Sequence, residues 1–251
     1  VSGTATALDH LGIVVRDLAA ARAAWEAAGF APTPGGRIML RHFYIELLAQ
    51  DPIKPSATLT AMLARGEGAH VLSLRVADAD EAAARLRQAG FDAAIIENER
   101  PSEERGGDAG GTARFRRVPL TDALPRLQLI EHLTPEIVWH QALLAQPNGA
   151  ASLAEIVVVA DPPAEFAARL SRVAGRGLAP APADGGFLLK LDHGAVRVLG
   201  QDAFRRLWPG ATPPAGTPRL AALVLRGTTP AHRHFPGLDL RIIAPDATAP
   251  G

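Results

Sequence analysis

The chain has 251 residues, room for one large domain or two ordinary ones, and 47% of them are hydrophobic, as in soluble globular proteins. Its 26 basic residues balance 26 acidic ones, so there is no electrostatic footprint for nucleic acid or for an anionic membrane. With no cysteine there is no disulfide frame, thiolate nucleophile or zinc–thiolate site, and any metal must sit on His, Asp, Glu, Gln or water. No apolar run approaches the ~18 residues a membrane span needs, and no basic-then-apolar leader opens the chain, which makes cytoplasm the expected location. Ala- and Arg-rich usage points to a bacterial source.

In chain order, "LGIVV" reads as a short strand, followed by a helix with Asp17 as N-cap and Gly29 at its C-terminal end. Leu18, Ala21, Trp25 and Ala28 recur at helical spacing and give that helix one apolar stripe. "RIMLRHFYIELLA" (Arg37–Ala49) supplies strands. The unit then repeats: "AHVLSLRVADADEAAARLRQAGF" places Leu72 on Leu11, Val76 on Val15 and Asp78 on Asp17, with a helix starting near Ala79 and ending at Gly90. "TARFRRVPL" and "RLQLIEHL" supply further strands, and the charged, Gly-rich "ENERPSEERGGDAGG" before them reads as a solvated loop.

"AQPNGAA" (Ala145–Ala151) reads as a boundary dividing the chain into residues 1–148 and 149–251. Beyond it, "SLAEIVVVADPPAEFAARLSRVAG" begins a third copy, with Asp161 as cap and a helix from about Pro162 to Gly175. "GGFLLKLDHGAVRVLG" adds two strands, and "RLAALVLRG" with "GLDLRIIAP" forms a decayed fourth copy without a good helix. The expected fold class is α+β, four tandem βαβββ modules paired into two cup-shaped mixed-sheet domains, the last module degenerate.

A βαβββ unit used in pairs, opening "LDHLGIVVRDL" and closing "YIELLA", resembles the vicinal-oxygen-chelate superfamily, and "YIELLAQDP", "RLQLIEHLTPE" and "PNGA" bring it nearest to glyoxalase-like domain proteins. That resemblance implies metal ligands on the first and last strand of each module, facing into a cup. The four positions fall on His10, Glu46, Val71 and Gln128, so half of the pattern is present. Alternation along the strands agrees: Leu11, Ile13 and Val15 face the helix, which leaves His10 for the cup, and in copy two Val71, Ser73 and Arg75 face it. His70 is off by one residue and would turn inward only through a bulge.

A carboxylate on an apolar strand needs a partner, and for Glu46 two are available. One is a divalent metal (Zn, Ni, Mn, Fe or Co) shared with His10 and with His70 or Gln128 and water; the other is Arg75, whose guanidinium would occupy the metal position. Tyr44, Ser73, Arg75, Arg114, Arg116 and Gln128 are the candidate substrate-binding residues, Arg114 and Arg116 as anchors for a carboxylate or phosphate with a solvated basic edge as the bland alternative. His132, Trp139 and His140 read as a lid or seam, and "HRH" (His232–His234) as a Pro-rich surface loop without an acidic partner. In the second half the resemblance puts its ligand positions on Ala154 and near Arg241, which disfavours extradiol cleavage there. The expected function is metal-assisted lyase or isomerase chemistry on a small oxygenated molecule, with Glu46 or a metal-bound water as the catalytic base; the alternative is a metal-free small-molecule binding or sequestering protein. No organic cofactor, nucleic-acid partner or membrane partner is expected, and a homodimer is left open.

Overall fold

The computed structural model describes residues 3–102, 111–181, 185–212 and 215–245. In the first half they form β1 (Ala7–Val14), α1 (Leu18–Ala27), β2 (Arg37–Leu40), β3 (Phe43–Leu48), α2 (Ala57–Ala64), β4 (Gly68–Arg75), α3 (Ala79–Gln88), β5 (Ile96–Pro101), β6 (Thr112–Pro119), β7 (Arg126–His132) and α4 (Pro135–Val138). The second half contributes β8 (Ala150–Val159), α5 (Pro163–Ala174), β9 (Ala179–Ala181), β10 (Gly186–Lys190), β11 (Ala195–Leu199), α6 (Gln201–Leu207), β12 (Arg219–Gly227), β13 (Ala231–Phe235) and β14 (Leu238–Ile243). This is an α+β fold of four repeated units, of which the fourth has no helix among the described residues.

The helix starts follow from capping chemistry. Asp17 accepts from the Ala20 amide and Asp78 from the Glu81 amide, so each closes an otherwise orphan donor. Asp161 does not act in that way: Pro162 is the N-cap of α5, and no side chain bonds there. Gly175 ends α5 in the left-handed region (φ 66°), which a side chain would strain. Two elements differ from the sequence reading. Ile96–Pro101 is strand β5, paired with β6 from Ile96↔Arg117 to Pro101↔Thr112, because its alternating residues have a neighbour to bond; the rest of the charged loop, residues 103–110, lies outside the described residues. Helix α2, capped by Ser56 on the Leu59 amide, is unannounced by any strong apolar stripe.

The first half is a seven-stranded sheet in the order β2-β3-β1-β4-β7-β6-β5, and the second repeats it as β9-β10-β11-β8-β12-β14-β13. The innermost strands of each half, β1 with β4 and β8 with β12, run antiparallel, and each pairs outward with a parallel strand. The ladder pair Leu220↔Ala69 joins the two sheets into fourteen strands, and an isolated bridge, Arg41↔Ser152, links them a second time. Their helix-side faces share one core, in which Leu11, Leu72, Ile156 and Leu223 are fully buried and Trp25 of α1 stacks on Phe235 of the other half at 4.0 Å. Arg85 of α3 adds a latch by donating to the Arg172 and Val173 carbonyls at the C-terminal end of α5, both at 2.6 Å, groups that the helix itself cannot satisfy.

The opposite faces of the two sheets differ. In the second half Val157, Val159, Leu199 and Ala222 meet Phe204 and Trp208 of the α6 segment in a compact apolar cluster. Helix α6 therefore fills the face that the first half leaves open. In the first half the same face lines a cavity.

Candidate functional site

The cavity of the first half has a volume of about 380 Å³ and is lined by residues of β1, β2, β3, β4, β5, β6 and β7, with Ser56, Thr58 and Leu59 of the α2 segment closing one side. Its edge strands curl toward one another, so Arg37 of β2 and Asn98 and Arg100 of β5 reach one space. His10, Glu46, Val71 and Gln128 all line it, and Tyr44 does too. His10 is 4% exposed, and its Nε2 lies 4.0 Å from Glu46 Oε2. Tyr44 stacks on the imidazole at 4.6 Å and fixes its plane. Burial, then the Glu46 charge, pushes the Tyr44 phenol well above its ordinary value, so it stays protonated.

A residue the sequence reading passed over organises this histidine. Between Leu8 and His10 the β1–β4 ladder shifts register, which leaves Asp9 as the extra residue of a bulge. The bulge buries Asp9 completely and aims it at three donors: His10 Nδ1 at 2.8 Å, His132 Nε2 at 2.9 Å and Arg75 Nε at 3.0 Å. Burial alone would raise its carboxyl; the charges and hydrogen bonds of His132 and His10 outweigh that and hold it well below the usual range. Asp9 accepts from His10 Nδ1, which orients the ring so that Nε2 is turned toward the cavity. Ser73 Oγ at 2.7 Å and Gln128 Nε2 at 3.2 Å meet that nitrogen.

The partner of Glu46 is Arg37, not Arg75. Arg37 and Glu46 face each other across the β2–β3 ladder, and the guanidinium donates to Oε1 at 2.6 Å. Burial would raise the Glu46 carboxyl, but Arg37 and then His10 hold it below its ordinary value. Arg75 instead serves Asp9, donates to the His42 carbonyl at 3.1 Å and covers the Trp139 ring at 4.1 Å. Trp139 packs on His132 and Tyr44, so the expected lid is an aromatic wall behind the site.

His70 is not among the cavity residues. The ladder does bulge there, skipping from Val71 to Ala69, yet the bulge turns Nε2 to the Gly66 carbonyl at 2.8 Å, which supplies the partner a buried imidazole needs. Arg114 and Arg116 also lie elsewhere. Arg114 is exposed, and Arg116 is engaged by Asp80 at 2.8 Å, Glu131 at 3.3 Å and Glu97 at 3.6 Å on the α3 side. Strand alternation gives the cavity their neighbours Phe115 and Arg117.

The cavity is therefore rich in guanidinium. Arg37, Arg100, Arg117 and Arg126 line it, and Glu46 is the one carboxylate among its lining residues. Arg117 donates to Asn98 Oδ1 at 2.7 Å. Arg126 is pushed down to about 10 by burial and then by the charge of Arg117, and its Nε has no hydrogen-bond partner. Gln128 Oε1 is likewise buried without one. Each is a polar atom in or beside the cavity whose hydrogen-bonding capacity the protein leaves unused.

Residues 8–174 match the family model described as "Glyoxalase-like domain". The chain belongs to that family. The paired units agree with the resemblance to the vicinal-oxygen-chelate superfamily read from the sequence. A hypothetical protein from Staphylococcus aureus is similar over 94% of this chain and 98% of its own, with a TM-score of 0.68 and 13% identity. A xylose isomerase-like TIM barrel/4-hydroxyphenylpyruvate dioxygenase fusion protein matches 90% of this chain and 38% of its own, at a TM-score of 0.54 and 14% identity. Methylmalonyl-CoA epimerase from Mycobacterium tuberculosis is 23% identical over 52% of this chain and 91% of its own, with a TM-score of 0.36. No curated protein matches the chain. Among the described residues no helix is long and apolar enough to cross a membrane.

Proposed function

We propose that the N-terminal cup binds a small oxygenated organic anion and acts on it as a lyase or isomerase with the help of a divalent ion. The observation that carries the reading is the donor set. His10 turns Nε2 into the cavity, Glu46 lies 4.0 Å from it, and the Gln128 amide, whose nitrogen faces that Nε2 at 3.2 Å, carries a buried carbonyl oxygen without a partner that a flip of the amide brings to the same point. A nitrogen, a carboxylate and an amide oxygen suit Zn, Ni, Co, Fe or Mn, and three protein donors leave positions open for substrate oxygens. Such an ion supplies Lewis-acid polarisation of an oxygen next to the reacting carbon. The chain's own residues do the rest. Arg126 and Arg117 bind the anionic group, Tyr44 holds the imidazole plane, and the Glu46 carboxylate, ionised at neutral pH, takes up a proton from the substrate.

One observation favours a second reading, a metal-free binding protein for the same anions. Arg37 donates to Glu46 at 2.6 Å and already neutralises it. Titration of the chelator-treated chain separates the two. The test mixes a panel of 2-oxo acids, 2-hydroxy acids and phosphate esters with the protein, with and without Zn, Ni, Co, Fe or Mn, and follows both binding and proton exchange by NMR. Metal-dependent exchange that disappears in His10→Ala and Glu46→Gln supports the enzyme. Anion binding that is indifferent to metal and to His10→Ala supports the binding protein and ends the lyase reading.

A further inference from the structure

The "HRH" stretch does not form a loop. Ala231–Phe235 is strand β13, an edge strand whose one neighbour among the described strands is β14. In a strand, residues two apart share a face, so His232 and His234 project side by side. The antiparallel register sets His234 opposite Asp239 and His232 opposite Arg241. A carboxylate thus lies directly across the ladder from the histidine pair, turned back onto it by the hairpin.

The three side chains converge. His234 Nδ1 contacts Asp239 Oδ1, His232 Nε2 lies 3.5 Å from the same oxygen, and the two rings are 4.5 Å apart. One ligand atom from each lies within 4.8 Å of the others. Donors around a tetrahedral zinc at about 2.0–2.1 Å are roughly 3.4 Å apart, so seating an ion asks for shifts of up to about 1.4 Å, with His234 and Asp239 moving apart. The imidazoles have room for it, being 36% and 60% exposed, while Asp239, at 12%, is the fixed member. Trp208 packs edge-on against His232 at 6.1 Å, and Arg241 lies over the Trp208 ring at 3.7 Å. That cation–π contact occupies Arg241 beside the triad, next to the α6 segment that fills the second-half face. Arg241 weakens cation binding somewhat and favours an anion on an open coordination position.

From this convergence we infer that His232, His234 and Asp239 form a second divalent transition-metal site, of the two-histidine, one-carboxylate kind, separate from the N-terminal cup. Two imidazoles select Zn, Co, Ni, Cu or Fe over Mg or Ca, and three protein donors leave positions for water or a small anion. The inference stands whether or not the cup binds a metal.

The test is cobalt titration of the untagged, chelator-treated full chain near neutral pH, read by visible absorption and by elemental analysis after dialysis. The wild type and His10→Ala should both take up cobalt at the triad with the d–d bands of a nitrogen–oxygen site. The His232→Ala/His234→Ala double variant should lose one equivalent and those bands. Asp239→Asn, which keeps the side chain's shape, should bind more weakly and gives an independent reading should the double variant fail to fold. Unchanged stoichiometry and spectrum in the folded double variant, or in Asp239→Asn if the double variant does not fold, overturn the site. So does an absence of bound cobalt in His10→Ala.

Discussion

Arg126 offers a test in which stability and binding move in opposite directions. It enters the cavity from the first position of β7, beside Val71 of β4, and burial with the Arg117 charge pushes it down to about 10. In the unfolded chain the same guanidinium keeps its proton to higher pH, so the fold binds it less well throughout the neutral range, and the penalty fades only as pH rises through about 10. Each pH unit of difference is worth about 1.4 kcal/mol, and after discounting for the residual exposure of the side chain the cost is roughly 2 kcal/mol. Arg126→Met keeps the length of the stem while removing the charge. It is expected to stabilise the ligand-free protein by that amount, raising Tm by roughly 4–8 °C at the 2–4 °C per kcal/mol usual for a chain of this size. The same variant should lose the anion binding proposed for the cup. Thermal melts followed by circular dichroism, with and without the best-bound anion from the panel, measure both. A variant less stable than the wild type, or one that binds the anion as tightly, would refute the view of Arg126 as a cation that Glu46 compensates only in part and that an anionic ligand completes.

Three further outcomes follow from other parts of the molecule. Asp9→Ala leaves Arg75, His10 and His132 without their shared carboxylate and should cost about 3–5 kcal/mol in urea denaturation, an isolated loss below about 1 kcal/mol contradicting the bulge network. Burial lowers both His42 and His70 from 6.5, so their contribution is present above that pH and is lost as pH falls below it. The urea midpoint should therefore decline on acidification below about pH 6.5, and the decline should be shallower in His42→Asn/His70→Gln, Asn being tolerant of the positive φ of 63° at position 42. Phe204 is fully buried in the apolar filling of the second half, and Phe204→Ala should cost about 3–5 kcal/mol by calorimetry, with a new site for a small apolar molecule such as benzene.

The sequence determined the repeat and, with it, the skeleton. Apolar alternation in "LGIVV" and "VLSLRV" and the caps at Asp17 and Asp78 are local properties of the chain, and α1 and α3 start where they indicate. The same alternation carried His10, Glu46 and Gln128 to one face, because the direction of a side chain on a strand depends on counting residues. What counting does not supply is where a ladder skips. The bulges at Asp9 and His70 break the period of two, and only the cross-strand neighbours decide that one residue becomes the support of His10 while the other turns to Gly66. Partners were decided in the same way. Arg37 reaches Glu46 ahead of Arg75, and Asp239 meets His232 and His234, because sheet register brings together residues whose pairing no local preference encodes. Ion pairs and ligand sets are properties of distance in space, and a chain fixes those distances only when its strands have found one another.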